Sequence, residues 1–144
     1  MKIKILHIIT GLGGHGAENM LLKLLENTDV NVFESYVISL TKDQTLLGSI
    51  SPHVMGIYGF DCKGGLFSIF RSVVGIASRI REIKPDIVQS WMFHSDLLGG
   101  MLSKLLGVKH VLWNIRHTTG EGEKPSIIFV IRILAFLSHF IPSL

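Results

Sequence analysis

The sequence predicts an α/β fold, with a mainly parallel, Rossmann-like sheet flanked by helices. Short apolar segments typical of buried strands alternate along the chain with longer segments in which apolar residues recur at helical spacing. A glycine-rich segment directly follows the first apolar run, as in folds that bind ligands at the end of a parallel strand. With 144 residues and no internal repeat, the chain is expected to form one domain over 1–144.

Five segments have the composition of strands, and four have the apolar spacing of helices. The predicted strands are 2–10, 32–40, 54–58, 87–91 and 110–115. The predicted helices are 17–25, 66–83, 96–106 and 127–137. Nearly every position of the first strand is apolar, which is typical of a parallel strand covered on both faces. Lys84-Pro85-Asp86 is expected to end the long helix, and Gly107 the next one.

The composition argues against several classes of protein. The chain is 47% hydrophobic and 17% charged, with a mean hydropathy of +0.45 and a net charge of +3. It has no basic run, so nucleic acid is not an expected partner. The single Cys62 excludes an internal disulfide and a cysteine metal cluster, and it fits a reducing, cytoplasmic location. The segment 127–137 is too short to span a membrane, and because the chain ends soon after it we expect a piece of a longer protein.

The stretch LHIITGLGGHGAE places four glycines within six residues, after the first predicted strand. Each glycine costs backbone entropy on folding, so such a cluster is typical of a place where the backbone must pass close to another group. The helix that follows presents free N–H groups and its positive end to the same place, which favours a phosphate. A tight turn that packs the helix on the strand is the alternative interpretation.

Gly11, Gly13 and Gly16 also fit the dinucleotide-binding pattern G-x-G-x-x-G. That pattern requires an acidic residue at the end of the second strand, and here no carboxylate follows that strand until Asp43. Glu18, in the first turn of the helix, would repel a pyrophosphate bound directly on it. A free-standing nucleotide-binding module of Rossmann type therefore stays open as the alternative function.

Two blocks of the sequence resemble the family 4 glycosyltransferases. The first, ILHIITGLGGHGAENMLLKLL, is similar to the strand, Gly-Gly-x-Gly-Ala-Glu loop and helix with which that family opens. The second, KPDIVQSWMFHSDLLGGMLSKLLGVKHVLWNIRHT, is similar to a later block of the same family. The resemblance implies the N-terminal, acceptor-side domain of a two-domain GT-B enzyme. The family's donor-binding domain, with its paired glutamates, is absent from this chain.

The activity implied by the resemblance is transfer of a sugar from a nucleotide-sugar to a glycan or lipid-linked glycan, with retention of configuration. Neither a metal nor another cofactor is implied. Such enzymes take part in the synthesis of cell-surface polysaccharides. We expect this chain to be inactive by itself, since it corresponds to half of the active site.

The resemblance also implies roles for individual residues. The expected donor-diphosphate contacts are Gly13, Gly14, His15, Gly16 and Arg116. His117 matches the family's histidine near the reacting sugar and is the expected catalytic residue. Arg116, beside it, pairs with a phosphate in one interpretation and with a nearby carboxylate in the other.

His94 and Ser95 match the family's segment on the acceptor side of the cleft and are the expected acceptor contacts. In the alternative interpretation, Ser95 or Asp96 caps the following helix. The run His94-Ser95-Asp96 is not a catalytic triad, because three neighbours in sequence point in different directions.

Other residues have plainer interpretations. His15, His94 and His117 each follow a strand, which leaves a three-histidine zinc site as an alternative. His7 is predicted to be a hydrogen-bonded core residue, and Trp91 and Trp113 are predicted to lie in the core. Basic residues on or beside the long helix form either a solvated face or a peripheral contact with an anionic membrane. They are Lys63, Arg71, Arg79, Arg81 and Lys84.

Overall fold

A computed structural model describes residues 2–43, 45–62 and 65–114, apart from the side chain of Phe93. Within these ranges it has five strands: β1 (Ile3–Ile9), β2 (Phe33–Ser39), β3 (Gly56–Gly59), β4 (Ile87–Trp91) and β5 (His110–Asn114). They form one sheet in the order β3-β2-β1-β4-β5, and every neighbouring pair is parallel. The predicted α/β fold with a parallel sheet is confirmed.

The helices predicted over 17–25 and 66–83 are confirmed. They are α1 (Gly16–Glu26) and α3 (Leu66–Ile83). Residues 47–53, for which no helix was expected, form the short α2 (Leu47–Ile50) and a 3₁₀ turn (Ser51–His53) before β3. The helix predicted over 127–137 lies outside the described residues.

The helix predicted over 96–106 begins earlier than expected. A first helical turn, α4 (Phe93–Ser95), runs into a π-helical segment (Asp96–Gly100) and then into α5 (Met101–Leu105). The prediction that Ser95 or Asp96 caps this helix is wrong, because both residues lie inside it and neither side chain bonds a helix N–H. The helix starts instead from the Met92 carbonyl, which accepts hydrogen bonds from the N–H groups of Ser95 and Asp96.

The ends of α3 follow from local chemistry. Lys84 has a φ of +51° and closes the helix with a hydrogen bond from its N–H to the Ile80 carbonyl. Pro85 follows and cannot continue the helical bonding. The Asp86 Oδ2 then accepts from the Lys4 N–H, which fixes the entry of β4 beside β1.

Apolar side chains alternate between the two faces of the sheet, so helices cover both. One core cluster joins the sheet to α3; its buried members are Leu6, Ile8, Ile38, Leu40, Ile76, Ile80, Ile83 and Val88. The other joins the sheet to α1 and α2; its buried members are Ile9, Leu12, Leu21, Leu25, Val37, Ile50 and Trp91. The core predictions for His7 and Trp91 are confirmed, since the Trp91 Nε1–H donates to the buried His7 Nδ1 at 3.3 Å. Trp113 is half-buried.

Candidate functional site

The strand order reverses between β1 and β4, because β2 and β3 lie on one side of β1 and β5 lies beyond β4 on the other. In open parallel sheets such a point leaves a crevice beyond the carboxyl ends of the two strands, where ligands bind. Here the segments that follow β1 and β4 meet, since Thr10 Oγ1 and Ser95 Oγ lie 3.2 Å apart. This crevice is the candidate site, and the glycine loop (residues 11–16) forms one side of it.

Neighbouring residues explain two of the four glycines in the loop, and the backbone conformation explains a third. A Cβ at Gly11 would lie 2.8 Å from Thr41 Oγ1, and one at Gly13 would lie 2.6 Å from Asp43 Oδ2. Gly14 has a φ of +87°, which side chains rarely adopt. A Cβ at Gly16 would meet nothing within 4 Å among the described residues, so their packing does not require a glycine there. The chain after β2 is therefore the neighbour that needs the close approach at Gly11 and Gly13.

The helix α1 begins at the crevice, with the exposed His15 as its N-cap residue. The His15 side chain makes no capping hydrogen bond, and the Asn19 amide donates to the Gly14 carbonyl at 2.8 Å and fastens the loop. His15 Nδ1 lies 4.0 Å from Glu18 Oε1, and Glu18 Oε2 is buried with no hydrogen-bond partner in the described part of the chain. The positive end of α1 thus carries a buried carboxylate, which the helix dipole stabilises, with the His15 imidazole beside it.

Asp43 also belongs to this site, although the sequence suggested that it lies too far beyond the second strand to reach the glycine loop. Its carbonyl accepts from the Leu12 N–H at 3.2 Å, and the Leu46 N–H donates to the Leu12 carbonyl at 2.9 Å. These bonds fold the chain after β2 back over the glycine loop and place the Asp43 carboxylate against Gly13. The signal in the sequence was weak, because Asp43 stands four positions beyond the end of β2.

The turn after β4 forms the opposite side of the crevice. Met92 has a φ of +73°, a strained conformation for a side chain of its size. Of the three residues that follow Phe93, His94 is exposed, whereas Ser95 and Asp96 are buried. Ser95 bonds Thr10 and Asp96 bonds Ser90, so the three side chains take different directions as predicted.

Arg116 and His117 lie outside the described residues, and so do Glu121 and Glu123, the nearby carboxylates with which Arg116 would pair in the alternative interpretation. Their expected roles stay predictions, as does the zinc alternative that needs His117. Among the residues that the structure describes, no group of three or more His, Cys, Asp or Glu side chains could hold a metal ion.

The exposed side of α3 is apolar near its start. Leu66, Phe67, Phe70 and Val74 are 88, 80, 68 and 53% exposed. The basic residues are spread around the helix rather than gathered. The Arg79 guanidinium lies 4.6 Å from the Tyr58 ring centroid and also pairs with Glu82, whereas Arg71 lies beside the apolar residues. Lys63 lies outside the described residues.

Neither a family model nor a curated protein matches the chain. Solved structures do. The crystal structure of MurG from Acinetobacter baumannii matches with a TM-score of 0.67 and 15% identity, over 93% of this chain and 39% of that one. The crystal structure of UDP-GlcNAc 2-epimerase from Neisseria meningitidis bound to UDP-GlcNAc matches with a TM-score of 0.56 and 13% identity, over 98% of this chain and 44% of that one.

Both of these proteins have the GT-B fold. At such low identity the likeness shows the fold alone, and it confirms the Rossmann-like, GT-B type of domain that the sequence predicts. The chain spans about two fifths of the length of each structure.

Proposed function

We propose that this chain is the acceptor-side domain of a GT-B glycosyltransferase that transfers a sugar from a nucleotide-sugar to a glycan or lipid-linked glycan. The observation that carries the proposal is the crevice at the reversal of strand order, bordered by the glycine loop and the turn of His94. The two blocks of sequence similarity cover these same segments. The likeness to MurG, a glycosyltransferase, supports this kind of enzyme.

In this proposal the backbone N–H groups of Gly13, Gly14 and Gly16 face the donor diphosphate. They stabilise the charge that develops on the leaving nucleoside diphosphate without reorganising. His15 lies on the loop and adds a positive charge when protonated, which offsets the carboxylate of Glu18. His94 contacts the acceptor, and the buried Ser95 holds the turn in place through Thr10. Arg116 and His117 complete the site, with His117 at the reacting sugar.

The donor half of the site belongs to a second domain in this proposal. The test is to read the source reading frame past the codon for Leu144 and to assay the longer protein for release of nucleoside diphosphate. We expect a second series of strands and helices with paired glutamates, and turnover that the 144-residue chain lacks. A stop codon directly after Leu144 would contradict the proposal.

Retention of configuration follows from the family 4 resemblance, whereas MurG is an inverting enzyme. The anomeric configuration of the new glycosidic bond, read by NMR from its anomeric coupling constant, distinguishes the two outcomes. A product with the donor's anomeric configuration supports the family 4 assignment. An inverted product would instead indicate an inverting mechanism like that of MurG.

The glycine loop can be tested on this chain alone. We expect UDP to shift the amide resonances of Gly13, Gly14 and Gly16 in NMR spectra, and His15→Asn to weaken the binding. His110→Asn is the matched control, because His110 is exposed at the opposite end of the sheet. Equal binding by the two variants would remove His15 from the site.

A nucleotide-binding module of Rossmann type is the second candidate, and the position of Asp43 favours it. A carboxylate against the glycine loop is the arrangement that dinucleotide-binding folds use to hold a ribose hydroxyl. If this function is the correct one, NAD will bind the chain as it stands, and Asp43→Asn will weaken NAD more than UDP. Under the transferase proposal, NAD does not bind.

We further propose that the exposed start of α3 contacts an anionic membrane on the cytoplasmic side. Its four exposed apolar residues suit insertion among headgroups, and the positive charge of Arg71 suits anionic lipid. No helix of the described residues is long and apolar enough to cross a bilayer.

Co-sedimentation with phosphatidylglycerol vesicles tests the membrane contact. We expect the wild-type chain to sediment with phosphatidylglycerol vesicles and not with phosphatidylcholine vesicles. The double variant Phe67→Ser with Phe70→Ser is expected to lose the binding to phosphatidylglycerol. Leu105→Ser, at an apolar residue that is 78% exposed on a different helix, is the control. Equal sedimentation of both variants would contradict the contact.

A further inference from the structure

A chain of three polar groups lies beneath the crevice. Asp96 is 1% exposed, and its Oδ1 lies 2.6 Å from Ser90 Oγ. Ser90 Oγ also lies 3.3 Å from the Leu112 carbonyl oxygen. Asp96 Oδ2 is buried and has no hydrogen-bond partner among the described residues. These groups connect the turn after β4 to β4 itself and to β5.

The Ser90 hydroxyl has a single proton and two acceptors within reach. When Asp96 is ionised, the hydroxyl donates to the carboxylate, and the Leu112 carbonyl loses this donor. When Asp96 carries a proton on Oδ1, the acid donates to Ser90 Oγ and the hydroxyl donates to Leu112. With Asp96 neutral, hydrogen bonds therefore run without a break from the turn through Ser90 to Leu112 of β5. The neutral carboxyl also leaves no charge on the unpartnered Oδ2.

We propose that Asp96 is a positioning residue of the crevice, whose protonation decides whether Ser90 joins β4 to Leu112 of β5 beneath the turn that presents His94. Ser95, the neighbour of Asp96, bonds Thr10 at the end of β1. Residues 95 and 96 thus fasten the turn to both strands that border the crevice. The consequence for acceptor binding by His94 rests on the proposed function, whereas the exchange of hydrogen bonds does not.

The surroundings of Asp96 support this proposal. Burial raises the pKa of Asp96 to about 6, and the hydrogen bond from Ser90 opposes the rise. Of the titratable groups nearby, His94 shares the turn and is exposed, while His7 points to the other face of the sheet with Trp91. His110 is exposed at the far end of β5, and Lys104 lies in the last turn of α5. No charged side chain among the described residues contributes to the shift.

The exchange can be followed by NMR in the chain labelled with ¹³C and ¹⁵N, between about pH 4.5 and pH 8. We expect the Asp96 ¹³Cγ, the Leu112 carbonyl ¹³C and the Ser95 amide to titrate with one midpoint near pH 6. In Asp96→Asn the amide donates to Ser90 at every pH, so the Leu112 signal stays at its acidic value. In Ser90→Ala, Asp96 titrates and Leu112 does not follow.

Asp86→Asn is the matched control, because Asp86 is exposed and its carboxylate accepts from the Lys4 N–H, away from Ser90, Asp96 and Leu112. This variant should keep the wild-type titration of Leu112. A constant Leu112 signal while Asp96 titrates would overturn the proposal, and so would a constant Ser95 amide or an ordinary Asp96 pKa. The experiment needs no substrate, so its outcome does not depend on transferase activity. Failure of the hydrogen-bond exchange can therefore be distinguished from failure of the proposed function.

Discussion

At the scale of single residues, Gly14 and Gly16 of the glycine loop differ in how strongly the structure requires a glycine. Gly14 is required by its own backbone, whose φ of +87° strains any residue with a Cβ. Gly16 starts α1, and a Cβ there would meet none of the described residues within 4 Å.

We expect Gly14→Ala to lower the free energy of unfolding by about 1–2 kcal/mol, the cost of a left-handed residue with a Cβ. Gly16→Ala is expected to leave the stability unchanged or to raise it by about 0.5 kcal/mol, because alanine loses less entropy than glycine in a helix. Chemical denaturation of both variants checks this. An equal loss in the two would mean that the loop does not hold Gly14 in this conformation.

The same scale shows which parts of the site the sequence could predict. The glycine cluster, the buried His7 and the divergent directions of residues 94–96 follow from local pattern. The contact of Asp43 with Gly13 does not, because it depends on how the chain after β2 folds back through Leu12. The burial of Asp96 was missed for a related reason, since its N-terminal position in the expected helix indicated an exposed cap.

At the scale of elements, the helix after β4 shows why boundaries are harder to predict than elements. Its apolar spacing correctly indicated a helix, but Met92 with positive φ starts the helix three residues early. The π-helical segment then places Gly99 against Ile8 and Gly100 against Trp113. These are tertiary contacts, so the spacing of apolar residues along the sequence does not predict them.

Gly99 should therefore tolerate no side chain. A Cβ there would lie 2.7 Å from two carbons of Ile8, which is fully buried in a central strand. We expect Gly99→Ala to lower the free energy of unfolding by about 1–3 kcal/mol, as overpacked cores do. Gly48→Ala in α2, where nothing lies within 4 Å, is the control and should not destabilise. Equal denaturation midpoints for the two variants would show that the π-helical segment can move away from β1.

At the scale of the whole molecule, the alternation of strands and helices was sufficient to predict a parallel sheet. The strand order with β1 in the middle is consistent with the strongly apolar first strand, whose residues from Leu6 to Ile9 are all buried. The short α2 and the 3₁₀ turn were not predicted, because four or fewer residues carry no measurable periodicity. They fill the space between α1 and β3, which is a property of the packed domain.

Two buried titratable groups on opposite faces of this sheet act on stability in opposite directions. Burial lowers the pKa of His7 to about 4, so the unfolded chain binds the extra proton between about pH 4 and pH 6.5, and stability rises with pH there. Burial raises the pKa of Asp96 to about 6, so the folded chain holds the proton between about pH 4 and pH 6, and stability falls with pH there. Each effect amounts to about 3 kcal/mol over its range, since one pKa unit corresponds to about 1.4 kcal/mol.

The two contributions should nearly cancel between about pH 4.5 and pH 6, and single variants should separate them. In Asp96→Asn only the His7 effect remains, so stability should rise with pH by about 1 kcal/mol per unit relative to wild type. In His7→Gln, where the amide oxygen still accepts from the Trp91 indole, stability should fall with pH by a similar amount. Urea denaturation at several pH values measures both slopes, and the other carboxylates contribute equally to all three proteins. Parallel pH profiles for the three proteins would mean that neither buried group changes its proton affinity on folding.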